Sequence, residues 1–305
     1  MVAPIKTISV IGAGAMGAAY ASAFYDLDKH GISLVARGER YERLKEKGMI
    51  VNNRHYFFTV MNPEEKTSPS DLVLVAVKHH HLQQAIKDIS NRVGENTVIL
   101  SVMNGIESEA QIGAVYGMDK LLYCVAVGID AVRHGNHVSF SQQGKVFFGE
   151  AKNIRFTERV KRVQSLFDQA GIVHEIPEDM IRTLWWKFMI NVGINQASAV
   201  LGMPYSVFQR STDARELMES AMREVIAVAH AAGVHLSEAD ITNWNSFLNS
   251  LSPEGKTSML QDIEARRKTE VEMFAGKMLE LGKEYGIPTP INQTLYRVIK
   301  VIEEN

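Results

Sequence analysis

Lys187, Asn191 and Asn195 recur every four residues in an otherwise apolar run, Leu184-Trp185-Trp186-Lys187-Phe188-Met189-Ile190-Asn191-Val192-Gly193-Ile194-Asn195. On a helix this spacing stacks them turn above turn on one face. An ammonium and two carboxamides turned inward are costly without partners, so the stripe predicts a polar ligand. A lysine so placed can protonate a reacting oxygen while neighbouring amides hold the substrate. Taken alone, Lys187 reads first as a solvated lysine on an amphipathic helix. Its company gives it weight: the two asparagines, and a later helix expected to begin at Thr257-Ser258-Met259-Leu260-Gln261-Asp262 and continue to Lys268-Thr269-Glu270.

The chain also opens with a phosphate-binding pattern. Gly12-Ala13-Gly14-Ala15-Met16-Gly17 follows an apolar strand and begins a small-residue helix, the context that gives the pattern meaning beyond a structural turn. The first glycine permits the tight turn, the second lets a pyrophosphate approach, and the third lets helix and sheet pack closely. The phosphates would lie at the helix amino terminus. The second strand ends at Ala36-Arg37-Gly38, where NAD enzymes usually carry an acid for the ribose hydroxyls. Arg37 suits the extra phosphate of NADP instead, the alternative being a surface arginine. Lys78 and Asn104 each follow a buried strand, where ligands of doubly wound sheets bind; for Lys78 a solvent-facing lysine is the competing reading. His79-His80-His81 points in three directions with no acid or cysteine at ligand spacing, so no metal is expected.

These residues need two kinds of scaffold. Apolar segments Thr7 to Ile11, Ser33 to Ala36, Leu72 to Val77, Thr97 to Val102 and Leu121 to Val127 alternate with helical patterns, which predicts a largely parallel sheet covered on both faces. Val138 to Phe140 and Val146 to Phe148 should add antiparallel strands to it, and Gly171 to Ile176 a last strand after a helix around Phe156 to Ala170. From Glu178 onward the periodicity is helical almost throughout. The expected fold is therefore α/β, a Rossmann-type doubly wound sheet in residues 1–176 followed by an all-helical second domain in 177–305. A chain of 305 residues agrees with two domains.

Composition removes several function classes. A net charge of −2 with no basic block gives nucleic acid nothing to bind. Cys124 is alone in an apolar stretch, which excludes an internal disulfide and fits a reducing cytoplasm. The amino terminus shows no export pattern. The uncharged run Phe188 to Gln209 contains Asn191, Asn195, Gln196, Gly202 and Pro204 and reads as core helix plus turn rather than a membrane span. The expected partner is a small molecule met in the cytoplasm, and the chain is compatible with a monomer or a homodimer.

Taken in order, Gly12-x-Gly14-x-x-Gly17, Ala36-Arg37-Gly38, Val77-Lys78, Asn104-Gly105, Lys187-x-x-x-Asn191-x-x-x-Asn195, Ser258-Met259-Leu260-Gln261-Asp262, Thr269-Glu270 and Gly286-Ile287-Pro288 resemble the ketopantoate reductase (2-dehydropantoate 2-reductase) family over nearly the whole chain. The resemblance implies NADPH as reductant and reduction of 2-dehydropantoate to (R)-pantoate in pantothenate and coenzyme A biosynthesis. It implies Lys187 as general acid, Asn191 and Asn195 as substrate-positioning amides, and Ser258 as a carboxylate ligand near a helix start. Glu270 would stand at the nicotinamide end, with Lys78, Asn104 and Ala131 lining the cofactor and Asn104 also within reach of substrate. Three positions depart from the family pattern: Gln196 stands where members frequently have proline, and Gly255 and Tyr205 stand where many have asparagine. They keep open a related reductase for another branched or larger 2-oxo acid, and an NADP-binding protein without turnover is the reading outside the enzymes.

Overall fold

The computed structural model describes residues 3–304, and the chain divides between Thr183 and Leu184 into two compact units. The first contains strands β1 (Ile8–Ile11), β2 (Ile32–Val35), β3 (Met49–Val51), β4 (Arg54–Tyr56), β5 (Thr59–Met61) and β6 (Leu72–Val75). It continues with β7 (Val98–Ser101), β8 (Leu121–Ile129), β9 (Val132–His134), β10 (His137–Ser139), β11 (Gln143–Gly149) and β12 (His174–Glu175). Helices α1 (Ala15–Leu27), α2 (Gly38–Lys47), α3 (Leu82–Asp88), α4 (Ser108–Tyr116) and α5 (Glu158–Gln169) intervene.

Eight strands form one sheet of order β12-β11-β8-β7-β6-β1-β2-β5, parallel at every junction except β8 with β11. Its central strands β1, β6 and β7 are buried on both sides, which is why they read as continuous apolar runs. Side chains alternate between two cores. Val10, Leu34, Leu72, Leu74 and Leu100 pack with Phe24 and Phe167 in one, and Ile11, Val35, Val73, Val75 and Ile99 pack with Leu82, Ile86 and Ile112 in the other. From β1 the chain builds outward through β2 on one side and through β6, β7 and β8 on the other. The order therefore reverses between β1 and β6, and the crevice beyond the strand ends at such a reversal is where doubly wound sheets take ligands.

The expectation for Val138 to Phe140 is corrected. Those residues supply β10, which pairs with β3 and β9 in a separate four-stranded sheet of order β4-β3-β10-β9, whereas β11 does join the main sheet antiparallel to β8. The small sheet is built from three-residue strands held by a tight turn: Asn52 and Asn53, with φ of 47° and 65°, link β3 to β4. Strands of three residues are too short to show the periodic signal of the main sheet.

Glu109 on α4 is buried beneath β8, and burial pushes its carboxyl up to about 7. Ser108 Oγ donates to it at 2.8 Å and in turn accepts from Ser101 Oγ at 2.8 Å. Between the ordinary carboxyl value of 4.5 and about 7 the folded protein retains a proton that the unfolded chain has released, so stability falls as pH rises through that window. Glu109→Gln removes this dependence: melting temperatures from pH 5 to 8 should lie on a flatter curve than those of the unaltered protein.

The second unit is helical. It contains most of α6 (Met180–Ile190), then α7 (Gln196–Leu201), α8 (Tyr205–Arg210), α9 (Thr212–Ala231), α10 (Glu238–Leu248), α11 (Ser258–Glu264), α12 (Lys277–Tyr285) and α13 (Pro290–Glu303). Two π-helical turns, Asn191–Asn195 and Glu272–Gly276, adjoin α7 and α12. The long helix α9 buries Met218, Ala221, Met222, Val225 and Val228, and Ser211 caps it by accepting from the Ala214 N–H at 3.2 Å. Among the described residues no helix is long and apolar enough to cross a membrane.

One expected helix is interrupted. The segment from Thr257 does not run on to Glu270, because α11 stops at Glu264 and Arg266 adopts a φ of 50°. Arg267 turns back to Asp262, its N–H reaching the Asp262 carbonyl at 2.8 Å and its Nε the carboxylate at 3.0 Å. Thr269 is tied instead to α13, where Glu303 Oε1 accepts from its N–H at 2.7 Å and its Oγ1 at 2.6 Å. Ser258 thus opens α11, whereas Glu270 lies in the bend just before the second π-helical turn.

Candidate active site

In the first unit, Gly12 follows β1 at a φ of +99°, and a side chain there would strike the Ala76 carbonyl just past β6. Gly17 packs against the Gly12 carbonyl, leaving no room for a Cβ, while a Cβ on Gly14 would meet nothing within 4 Å. The three glycines thus divide as the motif predicts: two are forced by close backbone approach, and one faces open space. Ala13, Gly14, Ala15 and Met16 complete the turn. Gly14 precedes α1 without any side-chain cap, so the N–H groups of the first helical turn remain to bond an incoming anion. This cradle fits a dinucleotide pyrophosphate.

Lys78 follows β6 as the residue before a short 3-10 turn, and Asn104 follows β7, so both stand beyond strand ends beside the switch point. Both are partly buried and partnered. Arg37 stands at the start of α2, is half exposed, and forms an ion pair with Asp88 at 3.4 Å. Ala131 lies between β8 and β9.

Sequence reasoning missed Arg133, two residues beyond Ala131. Its Nη1 donates to the Ala13 carbonyl and its Nε to Gly135 at 2.7 Å, which pins β9 to the glycine-rich turn. Burial lowers its pKa, and so does the like charge of Arg40 and Arg43 on α2. Positive charge therefore accumulates beside the turn from residues far apart in sequence, which no local pattern reveals.

In the second unit the asparagine stripe runs through the π-helical turn, in place of the regular helix expected from the spacing. Gly193 explains part of this: a Cβ there would lie 2.6 Å from the Met222 side chain and 3.0 Å from the Met218 carbonyl, so the turn presses on α9. Asn191 and Asn195 are buried, and Asn195 Nδ2 donates to Asn191 Oδ1 at 3.2 Å. Asn195 Oδ1 accepts from Ser258 Oγ at 3.1 Å and from the Met259 N–H at 3.3 Å. The structure thus joins Asn191, Asn195 and Ser258 in one chain of hydrogen bonds. Ser258 is the first residue of α11 and Thr257 its cap.

Lys187, one turn before the stripe on α6, is half-buried, and desolvation pushes its pKa down to about 8. An ammonium so perturbed gives up its proton readily near neutral pH. Glu270 is buried and partnered just before the second π-helical turn. Two of the departures from the family pattern prove to be local packing. Gln196 is fully buried and bonded within the unit, and a side chain at Gly255 would lie 2.8 Å from the Tyr205 ring. Among the described residues no group of His, Cys, Asp or Glu is arranged to hold a metal.

Known proteins match the chain along both units. Residues 8–153 match the family described as Ketopantoate reductase PanE/ApbA, and residues 179–303 match its C-terminal part. A 2-dehydropantoate 2-reductase of Aquifex aeolicus is 27% identical over 96% of each chain, and one of Archaeoglobus fulgidus 26% over 98% of each. The solved 2-dehydropantoate 2-reductase of Geobacter metallireducens superposes with a TM-score of 0.86 at 26% identity, covering 96% of this chain and 99% of that one. A D-mandelate dehydrogenase solved with NADH and anilino(oxo)acetate shares the fold, with a TM-score of 0.88 at 20% identity over 98% of each chain. With both units matched in order, the chain belongs to the ketopantoate reductase family of oxidoreductases.

Proposed function

We propose that this protein reduces the C2 ketone of 2-dehydropantoate to (R)-pantoate with NADPH, a cytoplasmic step toward pantothenate and coenzyme A. The observation that carries the reading is Lys187, a desolvated ammonium one turn before Asn191, which is hydrogen-bonded through Asn195 to Ser258. Relatives named for this reaction, matched over nearly their full length, support the substrate. In this reading residues 1–176 bind the dinucleotide through Gly12 to Gly17, Arg37, Lys78, Asn104 and Ala131, with Glu270 at the nicotinamide end, and residues 177–305 bind and protonate the keto acid.

When bound, the reduced nicotinamide supplies the hydride. As substrate binds, Ser258 Oγ turns its hydrogen from Asn195 Oδ1 to the substrate carboxylate, and the Asn195 N–H not given to Asn191 helps fix the carbonyl, with Asn191 as a further polar contact. As the carbonyl carbon becomes tetrahedral, negative charge grows on its oxygen, and the Lys187 ammonium stabilises it and transfers a proton, which completes the hydroxyl. Lys187 leaves this step neutral, a state its lowered pKa makes accessible.

A relative solved with NADH is a reason to test cofactor preference directly. Arg37 is expected to read the 2′-phosphate of NADP, moving between that anion and Asp88. Arg37→Ala should raise the KM for NADPH about tenfold, the worth of one screened charge-assisted contact, with little change for NADH. Equal use of both cofactors by the unaltered enzyme would refute this role.

A panel of 2-oxo acids tests the whole reading through steady-state oxidation of NADPH, and ketopantoate should give the highest kcat/KM. The contact of Tyr205 with Gly255 favours one alternative, another branched or larger 2-oxo acid, because an aromatic ring and a glycine meet where many family members carry asparagines. A higher kcat/KM for such an acid would select it. No oxidation with any member of the panel would leave a nucleotide-binding protein.

A further inference from the structure

We infer that Gln196 is a positioning residue: its side-chain amide holds the π-helical turn that carries Asn191 and Asn195, as the end of a buried polar relay through Asn292 to Glu224. The inference rests on the proposed function in taking those asparagines as substrate ligands.

The local backbone shows what the amide does. The Gln196 N–H bonds to the Gly193 carbonyl, three residues back, and not to Val192, the partner a regular α-helix would give it. Gln196 Nε2 takes that carbonyl instead, at 2.7 Å, so the side chain replaces a rung of the helical ladder. Val192 lies between the two asparagines. A π-turn wedged into a helix needs such a substitute, because its shifted register disturbs the bonding of neighbouring carbonyls.

The direction of the amide is fixed from the far end. Glu224 on α9 is an acceptor, and it takes the N–H groups of Ile291 and Asn292 at 2.7 and 3.0 Å in the first turn of α13. It also takes Asn292 Nδ2 at 2.7 Å. Asn292 must therefore turn Oδ1 the other way, toward Gln196, whose Nε2 donates to it at 3.0 Å. From Gln196 to Asn292 to Glu224 the side-chain bonds run in one direction, toward the carboxylate, and Asn292 Nδ2 also reaches the Ala221 carbonyl at 3.4 Å. Gln196 Oε1 is left buried with no partner, a cost that makes sense if the residue is kept for its donor half. Gln196 and Asn292 are both fully buried, so neither can contact substrate itself. The relay anchors the turn to α9 and α13, while Ser258 and Met259 of α11 hold Asn195 from the other side.

Gln196→Leu keeps the volume and deletes both donors. With the full-length protein, the KM for the best 2-oxo acid should rise about tenfold or more, since a displacement of even an ångström is costly for an oriented substrate. The dissociation constant for NADPH, measured by titration without substrate, should stay within twofold. Hydrogen exchange, which requires no turnover, should speed up in the segment from residue 190 to 197 and be unchanged in residues 8 to 150. Glu224→Gln, a milder change at a half-buried site, should move the same readouts in the same direction by less, and it carries the test if Gln196→Leu does not fold. Both variants with an unchanged KM and unchanged exchange would overturn the inference, as would an NADPH affinity that weakens by the same factor as the KM. Failure of the unaltered enzyme to reduce any 2-oxo acid would count against the proposed function alone, and the exchange experiment would then decide whether Gln196 holds the turn.

Discussion

Lys187→Ala should lower kcat for 2-oxo acid reduction by about 10²–10⁴, the usual worth of a positioned general acid. NADPH should bind as before, because the dinucleotide turn between β1 and α1 belongs to the first unit. Stability gives an independent control. A lysine lowered from 10.5 to about 8 binds its proton less tightly folded than unfolded, so the group opposes folding below about pH 8 and the opposition fades as pH rises from 8 to 10.5. Deleting it should therefore leave the melting temperature at pH 7 equal or higher. A variant that is inactive yet undiminished in stability is the signature of a catalytic group, whereas loss of activity together with stability would mark Lys187 as structural. Steady-state kinetics and a thermal melt on the same preparation separate the two.

Gly12→Val should abolish dinucleotide binding. The position demands a φ of +99°, which a β-branched residue adopts only under strain, and its Cβ would enter the space of the Ala76 carbonyl. Backbone strain of about 1–3 kcal/mol and overpacking of a similar size act together at the switch point of the sheet. Relief requires the turn to move away from β6, and a shift costing even 3 kcal/mol in binding weakens affinity more than about 100-fold. Titration with NADPH should show no saturation at concentrations that fill the unaltered protein. Binding within a few-fold of normal would mean that the cofactor does not use this turn.

How much could be read from sequence depended on how local each cause was. The main sheet was legible because Val10, Val73 and Ile99 each belong to a strand buried on both faces, leaving unbroken apolar runs. The small sheet was not, since β9 and β10 are three residues long and β10 finds its partner β3 from across the sequence. The glycine turn announced itself, because Gly12 and Gly17 answer to contacts within one strand–turn–helix unit or with the adjacent strand, and Gly14 to the open space where the phosphates would lie. Arg133 did not, as its partner Ala13 lies 120 residues away. The spacing of Lys187, Asn191 and Asn195 marked a polar stripe, yet it could not show a π-turn. That feature follows from Gly193 pressing on Met222 and from an amide bonded to Asn292, both tertiary facts. The break after Glu264 is a left-handed turn at Arg266 closed by Arg267 on Asp262, and no glycine marks it in the sequence; Thr269 then bonds Glu303 on α13, a contact that local helical propensity cannot foresee.

The central claim, that Lys187 delivers the proton as NADPH reduces a 2-oxo acid, is tested most directly by the pH dependence of kcat/KM. For the unaltered enzyme with its best substrate, kcat/KM should fall about tenfold per pH unit above an apparent pKa near 8, as the lysine loses the proton it must give. The same measurement on Lys187→Ala should show a low rate without that descending limb. A kcat/KM that stays level to about pH 10 in the unaltered enzyme, or a limb that persists unchanged in the variant, would contradict the account.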